Sequence, residues 1–272
     1  MNYVIIKCGG SVFEQLPPSF YQDIVTIQEQ GEWQPIIVHG GGPLISQLLE
    51  QTGVKTEFVK GLRVTTNEVL DVVEMALSGA VNKGVVRELS NAGGKAIGVS
   101  GVDGQLLHAQ PIDEEMTLGY VGQVTEVNTG LLKEWIQQGL IPVISPIGID
   151  DKGQRYNINA DMAAAAVAQA LGAKLCFISD IPGIYQEIDG EKQVFHQLNE
   201  QKIAQLIADE VIIGGMIPKV QSAIEALQQN VLEVSIVDGM AKHGLVEFMQ
   251  GKPIGTRISL THQEVPYVES NK

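Results

Sequence analysis

Short β-branched runs alternate with longer stretches of helical period along this chain. Apolar runs such as Val4-Ile5-Ile6, Ile36-Ile37-Val38 and Ile141-Pro142-Val143-Ile144 predict strands over Tyr3–Lys7, Pro35–His39, Ala96–Ser100, Leu140–Ser145, Lys174–Ser179 and Leu232–Asp238. Runs without polar alternation suit central parallel strands covered on both faces. Helices are predicted between them. Pro43–Gln51 follows a triple glycine. Across Glu68–Asn91, residues Val69, Val72, Val73, Ala76, Ala80 and Val81 recur at helical spacing, and Thr65 with Glu68 reads as a capping box. Asn128 is placed to cap Gly130–Gln138, which Gly139 closes. Ala160–Leu171 ends at Gly172, and Gln201–Ala208 and Pro218–Gln229 follow.

Strands alternating with helices of this length predict an α/β fold with a mostly parallel sheet. Two stretches break the pattern. Residues 101–127 are short, glycine-studded and alternating, and residues 147–158 read as a hairpin around Asp150-Asp151-Lys152-Gly153. Both are expected to be antiparallel and peripheral. The best internal boundary lies near residue 173, where a strand starts after Gly172 without a linker. The expectation is two lobes, 1–173 and 174–272, sharing one continuous sheet.

Composition narrows the function. Among 272 residues, 18 Lys and Arg stand against 32 Asp and Glu, a net charge of −14. That argues against a nucleic-acid surface, which needs a basic face. No run reaches the ~18 apolar residues of a membrane span. The first residues read as a strand rather than a signal peptide. Cys8 and Cys176 fall in or at the end of predicted strands without metal or disulfide spacing. The expectation is a soluble, acidic, cytoplasmic protein.

The chemistry gathers at glycine-rich strand ends. In Lys7-Cys8-Gly9-Gly10-Ser11 a strand ends on a lysine and two glycines turn the chain, which lets backbone N–H groups approach an anion. In His39-Gly40-Gly41-Gly42-Pro43 the glycines lead into a helix N-terminus, where free N–H groups and the dipole favour negative charge. The Gly-Lys-Ser/Thr ending of a Walker loop and the Gly-x-Gly-x-x-Gly dinucleotide pattern are both missing there. In Asn157-Ile158-Asn159-Ala160-Asp161, Asn159 suits a helix cap and Asp161 the first turn. Asn157 falls on the same side as Asn159 and is free for a polar ligand. In Gly214-Gly215-Met216-Ile217-Pro218-Lys219 a lysine sits in a first turn, where the dipole disfavours it unless an anion is bound. Arg63, in Gly61-Leu62-Arg63-Val64-Thr65, has the side chain suited to a bidentate carboxylate contact. Ser179-Asp180-Ile181-Pro182-Gly183-Ile184-Tyr185 reads as a ligand-lining loop after a sheet strand. The histidines show no ligand spacing and are expected at surface or turn positions.

Lys7, Arg63 and Lys219 beside glycine nests, in an otherwise acidic chain with no evident general base, fit phosphoryl transfer to an acceptor already ionised. Such chemistry is mostly positioning and charge stabilisation. A carboxylate acceptor needs no base, because its pKa lies far below 7.

In this order the motifs resemble those of the amino acid kinase family, and within it the N-acetyl-L-glutamate kinases. Val73-Glu74-Met75-Ala76-Leu77-Ser78-Gly79 with Val81-Asn82-Lys83 adds to the match, which covers nearly the whole chain. The Gly-x-Arg-x-Thr and Asn-x-Asn-Ala-Asp segments carry the narrower likeness. The resemblance implies an open αβα sandwich, with an N-terminal lobe for the acyl amino acid and a C-terminal lobe for ATP. It implies transfer from ATP to the side-chain carboxylate of N-acetyl-L-glutamate, a step of arginine biosynthesis. By the same resemblance Lys7 and Lys219 stabilise the phosphoryl group in flight, Asp161 orients both lysines, and Gly10 helps cradle that group. Gly41 and Gly42 bind the substrate side chain, Arg63 the α-carboxylate and Asn157 the acetamido end. Asp180, Ile181, Pro182, Gly183, Ile184 and Tyr185 line the nucleotide pocket, with Val211, Ile212 and Ile213 nearby. Mg2+ would arrive on the ATP phosphates.

Relatives inhibited by arginine carry an extra helix before the first strand. Here that strand begins at about Tyr3, so the expectation is a homodimer insensitive to arginine. Some of Leu70, Leu77, Val85, Val86 and Leu89 are expected to be buried against the partner. Thr66 stands where many relatives have aspartate. The alternatives are a kinase for the longer N-acetyl-aminoadipate, which one methylene of about 1–3 kcal/mol separates poorly, and a non-catalytic amino-acid sensor on the same fold.

Overall fold

The computed structural model describes residues 1–13, 15–188 and 190–260. The end of the expected C-terminal lobe, 261–272, and with it His262, lies outside the described residues. At the centre is one eight-stranded sheet. From edge to edge it runs Gln197–Asn199, Thr256–Ser259, Val234–Asp238, Lys174–Ser179, Asn2–Cys8, Trp33–His39, Ile141–Ser145 and Ala96–Ser100. Each neighbouring pair is parallel except Val234–Asp238 with Thr256–Ser259. The expected strands agree with these to within one or two residues at each end.

The first strand is central because both of its faces are apolar. Val4, Ile6 and Cys8 point to the side covered by helices Pro18–Gln30, Asn82–Asn91 and Gly244–Met249. Ile5 packs on the other side, with Val38, Leu175 and Phe177, against Ala160–Leu171 and Met216–Gln228. The result is the expected αβα sandwich. By the two-residue period of a strand, Lys7 shares the face of Ile5 and so points toward the start of Ala160–Leu171. Parallel pairing brings the carboxyl ends of the central strands to one edge, where Gly40 N donates to Cys8 O at 2.9 Å.

Off this sheet, Leu107–Pro111, Val121–Val127, Ile147–Ile149 and Arg155–Ile158 close into a small four-stranded barrel. The 147–158 hairpin and the Leu107–Pro111/Val121–Val127 pair are antiparallel as expected, but the joins between these pairs are parallel. The hairpin strand Arg155–Ile158 is tied to helix Asn67–Glu74 by Arg155, whose guanidinium reaches Asp71 and Glu74.

Three expectations need correcting. The predicted helix Glu68–Asn91 is interrupted: Asn67–Glu74 and Asn82–Asn91 are α-helical, but Met75–Val81 between them is π-helical. Its cap is Thr66, whose Oγ1 accepts from Val69 N at 3.3 Å; Thr65 is buried and donates to Arg63 O instead. Leu70, Leu77, Val85 and Leu89 are buried in the chain's own core, so they are not left over for a partner, and only Val86 stays partly exposed.

Helices Pro18–Gln30 and Gly244–Met249 were not anticipated. Pro18–Gln30 opens with Pro18 in its first turn, buries Phe20, Ile24 and Ile27 at helical spacing, and closes on Gly31 at φ 77°. Its Asp23 is buried and accepts from Leu245 N and Val246 N, which caps helix Gly244–Met249.

Candidate active site

Lys7 and Asp161 meet where the first strand ends under the start of helix Ala160–Leu171. Lys7 Nζ lies 2.6 Å from Asp161 Oδ1, and it sits 5.9 Å from the centre of the Phe177 ring. Asn159 caps that helix by accepting from the N–H groups of Asp161 and Met162, which sets the acid in the first turn. Capping explains Asn159, and the ion pair explains why the carboxylate faces inward.

The two glycine nests touch. A Cβ on Gly10 would lie 2.8 Å from Gly42 N and 2.9 Å from Gly41 N and Cα. Only glycine lets the turn after Lys7 press against the loop before helix Gly42–Thr52. Gly41 is closely covered from the opposite side, because a Cβ there would lie 2.7 Å from Leu77 Cδ2. Gly42 has open space where its Cβ would be.

Arg63 ends a two-stranded hairpin, Phe58–Val59 with Leu62–Arg63, whose turn residues Lys60 and Gly61 have φ of 48° and 81°. Two successive positive φ values make the tight turn that pairs short strands. The arginine is 7% exposed, not a surface side chain. Its guanidinium donates to Thr56 Oγ1 at 2.7 Å and Ser46 Oγ at 2.8 Å, and it lies 4.5 Å from the Phe58 ring centre. Burial lowers its pKa from the usual value. Asn157 Nδ2 donates to Thr65 Oγ1 at 3.1 Å, and this holds its amide beside the hairpin. A cleft runs from Gly41 and Gly42 past Arg63 to Asn157, with Phe58, Leu62 and Leu77 on its apolar sides.

Lys219 lies in the first turns of helix Met216–Gln228. Its Nζ donates to Ser179 Oγ at 2.7 Å and Asp180 Oδ1 at 2.9 Å. Hydrogen bonding from Lys219 holds the Asp180 carboxyl below the usual carboxylate range. Lys7, Asp161, Ser179, Lys219 and Ser222 line one pocket. Asp161, expected to orient both lysines, pairs here with Lys7, while Asp180 holds Lys219. The loop after Ser179 has mixed exposure. Ile181, Pro182 and Tyr185 are partly exposed, whereas Ile184 and Ile212 are buried in the core. Gly183 packs on Thr256, and Ile184 N donates to Thr256 Oγ1 at 2.7 Å. Val211 is partly buried and Ile213 is exposed. Among the described residues, no cluster of three or more His, Cys, Asp or Glu side chains could hold a metal ion.

His39 departs from expectation. It is fully buried, its ring is hydrogen-bonded to Gly40 and Asn82, and burial lowers its pKa to about 4. The apolar run Ile36-Ile37-Val38 leading into it was the available sign that it continues a buried strand. Cys8 and Cys176 are free buried thiols, and burial pushes Cys8 up to about 12, so neither is a nucleophile.

Residues 2–238 match the profile of the amino acid kinase family. The chain belongs to the amino acid kinase family. Within this family it is 47% identical to the acetylglutamate kinase of Oceanobacillus iheyensis, over 98% of this chain and 100% of that one. The acetylglutamate kinase of Geobacillus kaustophilus is 53% identical over 87% of this chain and 90% of its own length. Among solved structures, smu.665 from Streptococcus mutans superposes with a TM-score of 0.77 at 32% identity, covering 94% of this chain and 98% of that chain. Carbamate kinase from Giardia lamblia, at 17% identity and TM-score 0.65 over 95% of this chain and 98% of its own, shares the fold of the family.

Proposed function

We infer that the protein is an acetylglutamate kinase: it transfers the γ-phosphoryl group of ATP to the side-chain carboxylate of N-acetyl-L-glutamate and releases ADP and N-acetyl-L-glutamyl 5-phosphate, in arginine biosynthesis. The observation that carries the reading is the pairing of a two-lysine pocket with a cleft that holds a buried arginine and glycine amides. The acetylglutamate kinases at 45–53% identity favour it over the aminoadipate and sensor alternatives.

In this reading the guanidinium of Arg63 takes the α-carboxylate, Asn157 the acetamido group, and the amides of Gly41 and Gly42 the reacting carboxylate. A carboxylate oxygen forms a bond to Pγ as the bond from Pγ to the β-bridging oxygen breaks, and the electron pair leaves with ADP. No proton has to be removed, because the acceptor is already an anion. Lys7 and Lys219 neutralise the charge that spreads over the phosphoryl oxygens, and Gly10 helps cradle that group. Asp161 keeps Lys7 aimed.

Residues 1–173 hold the acyl amino acid and 174–272 the nucleotide, with Asp180 to Tyr185 and Val211 to Ile213 along the ATP site. Mg2+ travels on the ATP phosphates, as suits an ion that keeps its waters and takes only one or two carboxylates; Asp180 is the carboxylate at hand. The working unit is a cytoplasmic homodimer, the commonest closed assembly. Met75, 63% exposed, is an apolar residue that a partner would cover.

An ATP-dependent hydroxamate assay tests the reaction, because hydroxylamine traps acyl phosphates. N-acetylglutamate should give hydroxamate well above glutamate, aspartate and N-acetyl-aminoadipate. Equal or greater product from N-acetyl-aminoadipate would change the assigned acceptor.

A further inference from the structure

His39 ends the strand Trp33–His39 and directly precedes Gly40-Gly41-Gly42, yet its side chain has no solvent exposure. Nothing in the phosphoryl-transfer scheme uses it. Both ring nitrogens are engaged: Nδ1 lies 3.0 Å from Gly40 O, and Nε2 lies 3.2 Å from Asn82 Nδ2.

The Asn82 amide is itself oriented by the main chain. Its Nδ2 donates to Val143 O at 2.9 Å and to Val99 O at 3.2 Å, while Lys83 Nζ donates to its Oδ1 at 3.0 Å. Gly98 leaves the room for this, since a Cβ there would collide with Asn82 Oδ1. The two N–H bonds of this amide are shared among three acceptors, and its nitrogen accepts from none, so no donor faces Nε2. Gly40 O can only accept, so the ring proton sits on Nδ1 and points at it.

Gly40 O and the N–H of Gly41 belong to one peptide plane. In a trans peptide they point in opposite directions, so holding the oxygen also aims the N–H. Gly41 lines the acceptor cleft.

We propose that His39 and Asn82 form a buried positioning pair that aims the Gly41 amide at the acceptor carboxylate. The proposal rests on the acyl-phosphate reading above and adds two residues that touch no substrate. The π-helical segment takes part. Asn82 follows Met75–Val81 directly, and each α-helical residue turns the chain by about 100°. An α-helix over the same residues would carry the amide away from His39. The π-helical register also seats Leu77 and Val81 on Gly41, at 2.7 and 3.1 Å from the position of a Cβ. Segments of this kind recur at functional sites.

The test compares His39→Asn, His39→Gln and His39→Leu in the hydroxamate assay, with KM for each substrate and thermal melting. The asparagine amide falls near the place of Nδ1 and still donates to Gly40 O. The glutamine amide reaches toward Nε2, meets Asn82 and leaves Gly40 O without its donor. His39→Asn should keep kcat within about threefold of the parent. His39→Gln and His39→Leu should lose about tenfold or more, with KM for ATP unchanged, because a misplacement near 1 Å can cost about 10²-fold in rate. If His39→Leu does not fold, the Asn and Gln variants still decide the matter. Equal losses in these two, or losses that follow Tm, would reduce His39 to packing and overturn the proposal. A parent that makes no hydroxamate from N-acetylglutamate overturns the assigned reaction instead, and the substrate-side role with it.

Discussion

The ammonium of Lys7 and the carboxylate of Asp161 form an ion pair of 2.6 Å, while Lys219, on the opposite side of the same pocket, is held by Asp180 at 2.9 Å. Each lysine has its own acid: Asp161 lies in the first turn of helix Ala160–Leu171, and Asp180 directly follows strand Lys174–Ser179.

In the proposed reaction, removing either lysine deletes a positive charge from the place where negative charge spreads in the transition state. Loss of one such donor costs about 2.7–4 kcal/mol, or about 10²–10³ in turnover. Lys7→Ala and Lys219→Ala should each show that loss in kcat while melting as folded proteins. Turnover near the parent's in either variant would remove that lysine from the mechanism.

Arg63→Lys keeps a charge but loses the fork that reaches Thr56 and Ser46 together. KM for N-acetylglutamate should rise about tenfold, in line with one strong charged hydrogen bond, and KM for ATP should hold. Steady-state titration of each substrate checks this, and an equal effect on ATP would place Arg63 on the wrong side.

Gly10→Ala would bring a Cβ to 2.8 Å from Gly42 N, so backbone has to move. Overpacking of this kind costs about 1–3 kcal/mol. Gly42→Ala meets nothing within 4 Å and should change stability by no more than about 0.5 kcal/mol. Urea unfolding of the two variants gives the comparison. A stable, fully active Gly10→Ala would mean that the two nests do not press together.

His39 contributes a pH dependence of known sign. Its pKa is about 4 in the folded chain, below the usual 6.5, so the unfolded chain binds the proton more tightly. Stability is fully present above about pH 6.5 and falls as pH drops toward 4, by about 3 kcal/mol over that range. His39→Asn should flatten this part of the curve. Denaturant midpoints measured from pH 7 to 4 in both proteins decide it, and parallel curves would contradict a neutral buried ring.

Much of the site was legible in the order of residues, because glycine nests and helix caps are local devices. Asn159, Pro43 and Gly172 perform the local tasks that their chemistry suggests. The strands were legible for a similar reason: a sheet covered on both faces demands continuous apolar runs. The helix Pro18–Gln30 was also written in its 3.6-residue period, although prolines and a polar face surround it. Thr65 against Thr66 shows the limit. Both can cap a helix, and the choice fell to Asn157, a partner 92 positions away that engages Thr65.

By itself the sequence determined the α/β class, the central strands and the candidate residues for the chemistry, since period, glycine freedom and side-chain type act over a few residues. Tertiary structure alone decided which acid holds which lysine, that Arg63 and His39 are buried, and that Met75–Val81 is wound as a π-helix. It also placed Leu70, Leu77, Val85 and Leu89 in the chain's own core rather than at a partner's surface. Each of these outcomes depends on contacts between segments far apart in the chain, where close packing and the hydrogen-bonding of buried polar groups select one arrangement from several that local pattern permits.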